Sequence, residues 1–151
     1  MATNLQNAES TDLPDHLLSP RQLLRLLAGS GPNVPDAPTL IIDLRARNRY
    51  RHSHVPGSHN IPSGWLISGE LPYGDMVLVG ESTQHSATTI DYLQAQGHAR
   101  RIRHLAGGFG AWQHQDLPVA GRQQKGWPLL FRGIPGLRPS RLFRPASPQE
   151  A

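Results

Sequence analysis

Apolar residues occur along the chain in short continuous runs and at helical spacing, a pattern that predicts short strands separated by helices. The first clear pattern follows Ser19-Pro20, where the run RQLLRLL spaces its leucines as a helix does, before Gly29. A serine just before the first turn, a proline within it and a glycine after the last turn are typical of helix ends. We therefore predict a short amphipathic helix here.

Two continuous apolar runs, Thr39–Leu44 and Met76–Val79, predict strands that are covered on both faces. A further strand is predicted at Arg101–Leu105 and a short extended segment at His59–Ile61. Helical segments are predicted between and after them, from residue 45, over Ser63–Ile67, from Ser86 to Gly97, and from Gly107-Gly108 onward. This alternation predicts an α/β fold with a mainly parallel central sheet and helices on both faces.

A polar loop, residues 80–86, connects the strand Met76–Val79 to the next predicted helix. A strand, a tight loop and a helix N-terminus in this order present backbone N–H groups that are able to bind an anion. Asp43 lies at the end of another strand. Because ligands of such sheets bind beyond the carboxyl ends of the strands, we expect Asp43 and the loop to face one crevice.

Length and composition limit the classes of protein that fit. A chain of 151 residues corresponds to one domain with terminal extensions. The absence of cysteine excludes disulfides, thiolate metal sites and cysteine catalysis. No apolar run approaches the ~18 residues of a membrane span, and the N-terminus lacks the basic start and apolar core of a secretion signal. We expect a soluble, cytoplasmic protein without a transmembrane segment.

The net charge of +4 is concentrated at the C-terminus. Residues 1–120 contain nine basic and ten acidic side chains, whereas residues 121–151 contain six basic and one acidic. The same final segment holds five prolines and four glycines and shows no helical or strand period. We predict a mobile leader at 1–15, one domain at 16–120 and a basic tail at 121–151 that is extended or disordered.

Aromatic and basic residues are interleaved in the predicted tail. Such a segment is able to bind a protein partner or an anionic surface, whereas the alternative is that it docks back on the domain or contacts nothing. We expect a protein partner, and we do not expect specific nucleic-acid binding. The candidate contact residues are Arg122, Lys125, Trp127, Phe131, Arg132, Arg138, Arg141, Phe143 and Arg144.

Four motifs in order resemble the rhodanese-like domain family of sulfurtransferases. They are the Ser19-Pro20 leucine helix, the strand Leu40–Arg45 followed by Tyr50, the block HVPGSHNIP at 54–62, and the sequence from Leu105 through Trp112 to Val119. The resemblance covers Leu18 to Val119 and implies the rhodanese-like α/β fold.

The loop departs from the family, whose active loop runs Cys-x-x-Gly-x-Arg-Ser. This chain has Gly80, Glu81, Ser82, Thr83, Gln84, His85 and Ser86. By the resemblance, Gly80 stands at the persulfide-carrying cysteine, Thr83 at the glycine and His85 at the arginine, and only Ser86 keeps its type. Glu81 adds a negative charge that opposes an anionic substrate.

We therefore predict a catalytically inactive rhodanese-like domain that serves as a binding or regulatory module, with no catalytic residue, cofactor or metal. Two alternatives remain open: a sulfur-relay component that uses a partner's thiol, and a hydrolase that uses His85. Asp43, Arg45 and His54 are interpreted as structural, because a carboxylate at a strand end readily accepts backbone N–H groups. His52, His54, His59 and His85 lack the spacing of common metal sites, so surface histidines are favoured.

Overall fold

The computed structural model describes residues 13–29, 39–72, 74–98 and 101–122, which form a parallel sheet with flanking helices. The strands are β1 (Leu17–Leu18), β2 (Leu40–Asp43), β3 (His59–Asn60), β4 (Met76–Val79) and β5 (Ile102–Leu105). The helices are α1 (Pro20–Leu27), α2 (Arg47–His52), α3 (Ser63–Ser68), α4 (Thr83–Ala95) and α5 (Gly108–His114). The strand order in the five-stranded sheet is β1-β5-β4-β2-β3, with parallel pairing throughout.

The two faces of the sheet carry separate hydrophobic clusters, because successive strand residues point to opposite sides. One face joins α1 and α5 to the sheet through Leu23, Ile41, Val77, Val79, Leu105, Phe109 and Trp112. The other joins α3 and α4 to it through Ile42, Leu66, Met76, Leu78, Ile90, Leu93 and Ile102. The predicted α/β fold with helices on both faces is confirmed.

The predicted start of α1 is also confirmed. Ser19 Oγ accepts a hydrogen bond from the Gln22 backbone N–H at 3.2 Å, and the Ser19 backbone N–H donates to Gln22 Oε1 at 2.7 Å. This reciprocal pair satisfies two N–H groups that a helix start would otherwise leave without partners. At the other end, Gly29 adopts a φ of +66°, a value that a residue without Cβ reaches easily.

Two boundaries differ from the prediction. The sequence did not predict β1, a two-residue edge strand that pairs with β5. Helix α4 begins at Thr83 rather than Ser86, because Ser82 is its N-cap and its Oγ accepts the His85 backbone N–H at 3.2 Å. Ser86 consequently lies inside the helix and is fully buried.

Much of the predicted leader and tail lies outside the described residues, which include only 13–15 of the former and 121–122 of the latter. Arg122 is exposed, and its backbone N–H donates to the Arg51 carbonyl at the end of α2 at 3.1 Å. Within the described ranges, no helix is long and apolar enough to cross a membrane. The tail residues outside those ranges are Lys125, Trp127, Phe131, Arg132, Arg138, Arg141, Phe143 and Arg144.

Candidate functional site

The loop at 80–86 leaves the carboxyl end of β4 and is fixed against the start of α5. The Gly80 carbonyl accepts the Phe109 backbone N–H at 2.9 Å, and Thr83 Oγ1 accepts the Gly107 backbone N–H at 2.6 Å. Sequence reasoning missed this attachment, because the two segments are far apart in the chain. The loop is therefore held by backbone contacts from a second element.

Gly108 is required for this close approach. Its φ is +62°, and a Cβ at this position would lie 2.6 Å from the Gly80 carbonyl oxygen and 2.7 Å from the Ser82 nitrogen. Both are backbone atoms, so neither is able to move aside as a flexible side chain does. The sequence signal for this requirement is the Gly107-Gly108 pair itself.

We expect Gly108→Ala to lower the free energy of unfolding by about 1–3 kcal/mol, because the left-handed backbone and the clash with the loop both oppose a Cβ. Gly110→Ala is the matched control in the same helix, since a Cβ there meets no atom within 4 Å. The control should be neutral or stabilising by up to about 1 kcal/mol. Urea denaturation measures both, and equal effects would show that the loop does not need Gly108.

The side chain of His85 occupies the space beside Gly80. A Cβ at Gly80 would lie 3.1 Å from His85 Nδ1, 3.1 Å from the Ser86 nitrogen and 3.0 Å from the Ser82 carbonyl oxygen. These separations are tighter than ordinary van der Waals contact, so any side chain at this position would displace its neighbours. A side chain at this position, where the resemblance places a cysteine, would therefore press against the imidazole.

Side chains of the loop also accept its own backbone donors. His85 Nδ1 accepts the Glu81 N–H at 3.1 Å, and Ser82 Oγ accepts the His85 N–H. On the other side of the ring, His85 Nε2 lies 3.4 Å from Ser63 Oγ on α3. Because a backbone N–H only donates, Nδ1 is the acceptor and the neutral ring carries its proton on Nε2. An anion would have to displace these contacts before it reached either donor.

Glu81 forms an ion pair that links the loop to α2. Its Oε1 lies 3.2 Å from Arg49 Nε on α2, and both side chains are largely exposed. An exposed pair of this kind contributes less than about 1 kcal/mol. The guanidinium offsets part of the negative charge that the sequence assigned to this position, although Glu81 remains an acidic group beside the loop.

Ser86 and His104 form a buried polar pair behind the loop. Ser86 Oγ lies 2.7 Å from His104 Nδ1 and 3.1 Å from the Thr83 carbonyl oxygen. The His104 ring also stacks on His16, with a centroid separation of 5.7 Å. Burial, and then the charge of His16, lowers the pKa of His104. Because Ser86 is fully buried, its hydroxyl is not accessible to a substrate.

Asp43, at the end of β2, forms a buried ion pair with Arg45. Arg45 Nη2 lies 2.7 Å from Asp43 Oδ2 and donates to the Ser53 carbonyl at 2.7 Å, and its guanidinium lies 3.9 Å above the Phe109 ring. Asp43 Oδ1 also accepts the Arg45 backbone N–H at 3.0 Å. The two side chains are 0 % and 4 % exposed, so Asp43 does not face an open crevice as the sequence led us to expect.

His54 is held by α2 and by the backbone of Ala120. Its Nδ1 lies 2.7 Å from the Tyr50 carbonyl oxygen, and its ring stacks on the Tyr50 ring with centroids 3.8 Å apart. The His54 and Ala120 backbones exchange two hydrogen bonds of 2.9 Å. Burial is the main cause that lowers the pKa of His54.

The buried histidines make stability depend on pH. Because the pKa of His54 and of His104 is lowered in the folded state, the unfolded chain binds more protons below its own value of about 6.5. Their contribution is fully present above about pH 6.5 and is lost as the pH falls through the folded pKa values. We expect the urea concentration at the unfolding midpoint to be lower at about pH 5 than at about pH 7. His104→Gln should flatten this slope, whereas replacement of the exposed His114 by glutamine should leave it unchanged.

Among the described residues, no group of three histidine, aspartate or glutamate side chains is arranged to hold a metal ion. His52 and His59 are exposed, His85 contacts Ser63, and His54 stacks on Tyr50. The four histidines considered from the sequence therefore do not converge on one point.

Comparisons with known proteins give one match to a family model and none to curated proteins. The family model described as "Rhodanese-like domain" matches residues 19–115, which is more than half of the chain. A search of curated proteins finds no match.

Solved structures share the fold at low sequence identity. The rhodanese-like domain from an Anabaena species has a TM-score of 0.59 at 19% identity, covering 91% of this chain and 96% of that one. A rhodanese-related protein from Thermoplasma volcanium gives 0.56 at 17% identity, with 70% and 97% covered. A protein of unknown function from Rhodopseudomonas palustris, described as a possible tyrosine phosphatase, gives 0.54 at 25% identity, with 70% and 84% covered. These structures share the fold, and the family-model match over more than half of the chain shows that it belongs to the rhodanese-like domain family.

Proposed function

We propose that this chain is a rhodanese-like domain without sulfurtransferase activity of its own and that it acts as a binding or regulatory module. The observation that carries the proposal is the geometry at Gly80. A residue without a side chain stands where the family carries its nucleophile, and His85 Nδ1 lies 3.1 Å from the point where a Cβ would begin.

The chemistry of sulfur transfer supports this proposal. A persulfide is formed by a thiolate, and the chain has no cysteine at any position. The hydroxyls of the loop do not replace it, because Ser82 Oγ accepts the His85 N–H and Thr83 Oγ1 accepts the Gly107 N–H. Ser82 therefore caps α4 and Thr83 joins the loop to the start of α5, which are structural contacts.

A relay component that receives a partner's thiol is the first alternative. The partner's sulfur would have to reach the space beside Gly80, where the His85 ring lies between the Glu81 N–H and Ser63 Oγ. Its entry would cost the hydrogen bond between Glu81 and His85. Because a partner's sulfur would have to break this contact, we favour a module that recognises its partner at a surface other than the loop.

A hydrolase is the second alternative. The similar protein from Rhodopseudomonas palustris is described as a possible tyrosine phosphatase. His85 would then act as an acid or base, but its Nδ1 accepts the Glu81 N–H and its Nε2 lies 3.4 Å from Ser63 Oγ. A base needs a free lone pair toward the hydroxyl, and the neutral ring has a proton there. Loss of any hydrolytic turnover in His85→Ala would be needed to sustain this alternative.

We further propose a protein partner in the cytoplasm, with the basic tail as a candidate contact segment. The test is a pull-down from the extract of the source cell, comparing the full chain with a truncation that ends at Arg122 and so retains the hydrogen bond to Arg51. Retention by the full chain alone assigns recognition to the tail, and retention by both forms assigns it to the domain. If neither form retains a protein above an empty resin, the proposed binding function is wrong.

A further inference from the structure

A groove between α2 and α3 is lined by residues that have no role in the function described so far. It has a volume of about 580 Å³, and we call it the α2–α3 groove. This volume is in the range of cavities that hold a small ligand or a large side chain. Its lining includes Arg47, Tyr50, Arg51, Ile61, Pro62 and Trp65.

Trp65 is the most exposed large apolar side chain of the described residues. It is 76 % exposed, whereas the neighbouring Leu66 is 1 % exposed and packs against the sheet. A single exposed apolar residue is common on protein surfaces and carries no conclusion alone. Here, however, the indole borders a concave surface that already contains a second aromatic ring.

Tyr50 gives this surface a fixed wall. Its hydroxyl donates to the Ser58 carbonyl, and its ring stacks on that of His54. A ring held at both its hydroxyl and its face loses little conformational entropy when a ligand packs on it. The groove is therefore pre-organised on the Tyr50 side.

Arg47 and Arg51 supply positive charge that no carboxylate of the described residues pairs with. They are four residues apart on α2, so they lie on one face of the helix, and both are exposed. The other two arginines of this segment are paired, Arg45 with Asp43 and Arg49 with Glu81. Within the described ranges, neither Arg47 nor Arg51 has an ion-pair partner.

We propose that the α2–α3 groove binds an acidic peptide segment of a partner protein. A large apolar residue of the peptide packs between Trp65, Tyr50 and Ile61, while carboxylates beside it pair with Arg47 and Arg51. Guanidinium groups bind carboxylates through two parallel hydrogen bonds, and tryptophan, tyrosine and arginine contribute most strongly to protein interfaces. This inference rests on the proposed role as a binding module and assigns that role to one surface.

The test selects ligands from a phage-displayed library of short random peptides on the immobilised full chain. Selected peptides are then synthesised with a fluorescent label, and their affinities for each variant are measured from the fluorescence polarisation of the labelled peptide. We expect sequences in which acidic residues flank a large apolar residue. Both Arg47→Glu/Arg51→Glu and Trp65→Ala should weaken their binding by at least about tenfold, and higher salt should weaken it for the unaltered chain.

The matched control is Arg21→Glu/Arg25→Glu. This pair has the same four-residue spacing on the exposed face of α1 and makes the same change in net charge. Peptide affinity should stay within about twofold of the unaltered chain. An equal loss in the control would show that the net charge of the domain, rather than the groove, attracts the peptides, and the proposal would be wrong.

Other outcomes also decide the proposal. Selection of no peptide, or of peptides without acidic residues, overturns it, and so does binding of a single-stranded RNA oligonucleotide at Trp65 in place of any peptide. The pull-down separates this failure from failure of the proposed function. If Arg47→Glu/Arg51→Glu still retains the cellular partner, the module function stands and the groove is not its site.

Discussion

Replacing Asp43 with alanine is expected to lower the free energy of unfolding by about 3–5 kcal/mol. The change leaves the Arg45 guanidinium, which is 4 % exposed, without its carboxylate in the interior. The remaining acceptor, the Ser53 carbonyl, satisfies one donor but offers no compensating charge. Removal of one partner from a buried ion pair costs more than the pair itself contributes, because the unpaired charge stays desolvated.

Urea denaturation of two further variants makes this expectation specific. Glu81→Ala breaks the exposed pair with Arg49 and should change stability by less than about 1 kcal/mol. Asp43→Leu/Arg45→Met removes both buried charges and should recover much of the loss, since apolar residues of similar size often replace a buried pair without cost. If Asp43→Ala were as mild as Glu81→Ala, the ion pair would not be a buried structural element.

Trp112→Ala is expected to have a similarly large effect, about 3–5 kcal/mol. Its side chain is fully buried in the cluster formed with Leu23, Phe109 and Val119, and its Nε1 donates to the Pro118 carbonyl at 2.7 Å. The substitution therefore creates a cavity and leaves a buried carbonyl without its donor. Ala120 lies two residues after Pro118 and pairs with His54, so we expect the contact between Ala120 and His54 to loosen as well.

Two comparisons separate these causes. Trp112→Phe keeps an aromatic ring but removes the N–H, and should cost about 1–3 kcal/mol. Trp65→Ala removes the same type of side chain from an exposed position and should stay within about 0.5 kcal/mol. Comparable losses at Trp112 and Trp65 would contradict the packing described for the α5 face of the sheet.

The sequence predicted those parts of the fold that depend on local pattern. The apolar runs of β2 and β4 and the capped start of α1 are visible in a few adjacent residues, and the structure confirms them. Strand β1 was missed, because two leucines carry no period and become a strand only through pairing with β5. The start of α4 was misplaced, because Ser82, Thr83 and Ser86 all suit an N-cap and only the bond to His85 N identifies Ser82.

The candidate site was predictable in composition but not in arrangement. The sequence places Gly80 where the resemblance puts a cysteine, yet it does not show that His85 turns back to accept the Glu81 N–H. It also does not show that Arg49 reaches Glu81 from α2, or that α5 supports the loop through Gly108. These features depend on side-chain orientation and on contacts between distant segments, which local pattern does not encode. The candidate contacts in the tail beyond Arg122 stay predictions.

Variants that return loop residues to the types found in the family test whether these residues prevent sulfurtransferase activity. Gly80→Cys alone should restore little activity, because its Cβ would meet His85 Nδ1 at 3.1 Å and Glu81 would remain beside it. Gly80→Cys/Glu81→Ala/His85→Arg removes both obstacles and should exceed the single variant. Equal, substantial activity from Gly80→Cys alone would contradict the role assigned to His85.

The most direct test of the central claim is the rate at which the unaltered full chain forms thiocyanate from thiosulfate and cyanide. The account predicts a rate equal to that of buffer, because the chain has no cysteine to carry sulfur and Gly80 has no side chain in its place. A rate above buffer that follows the concentration of the chain would contradict it and would show that the domain transfers sulfur by another route.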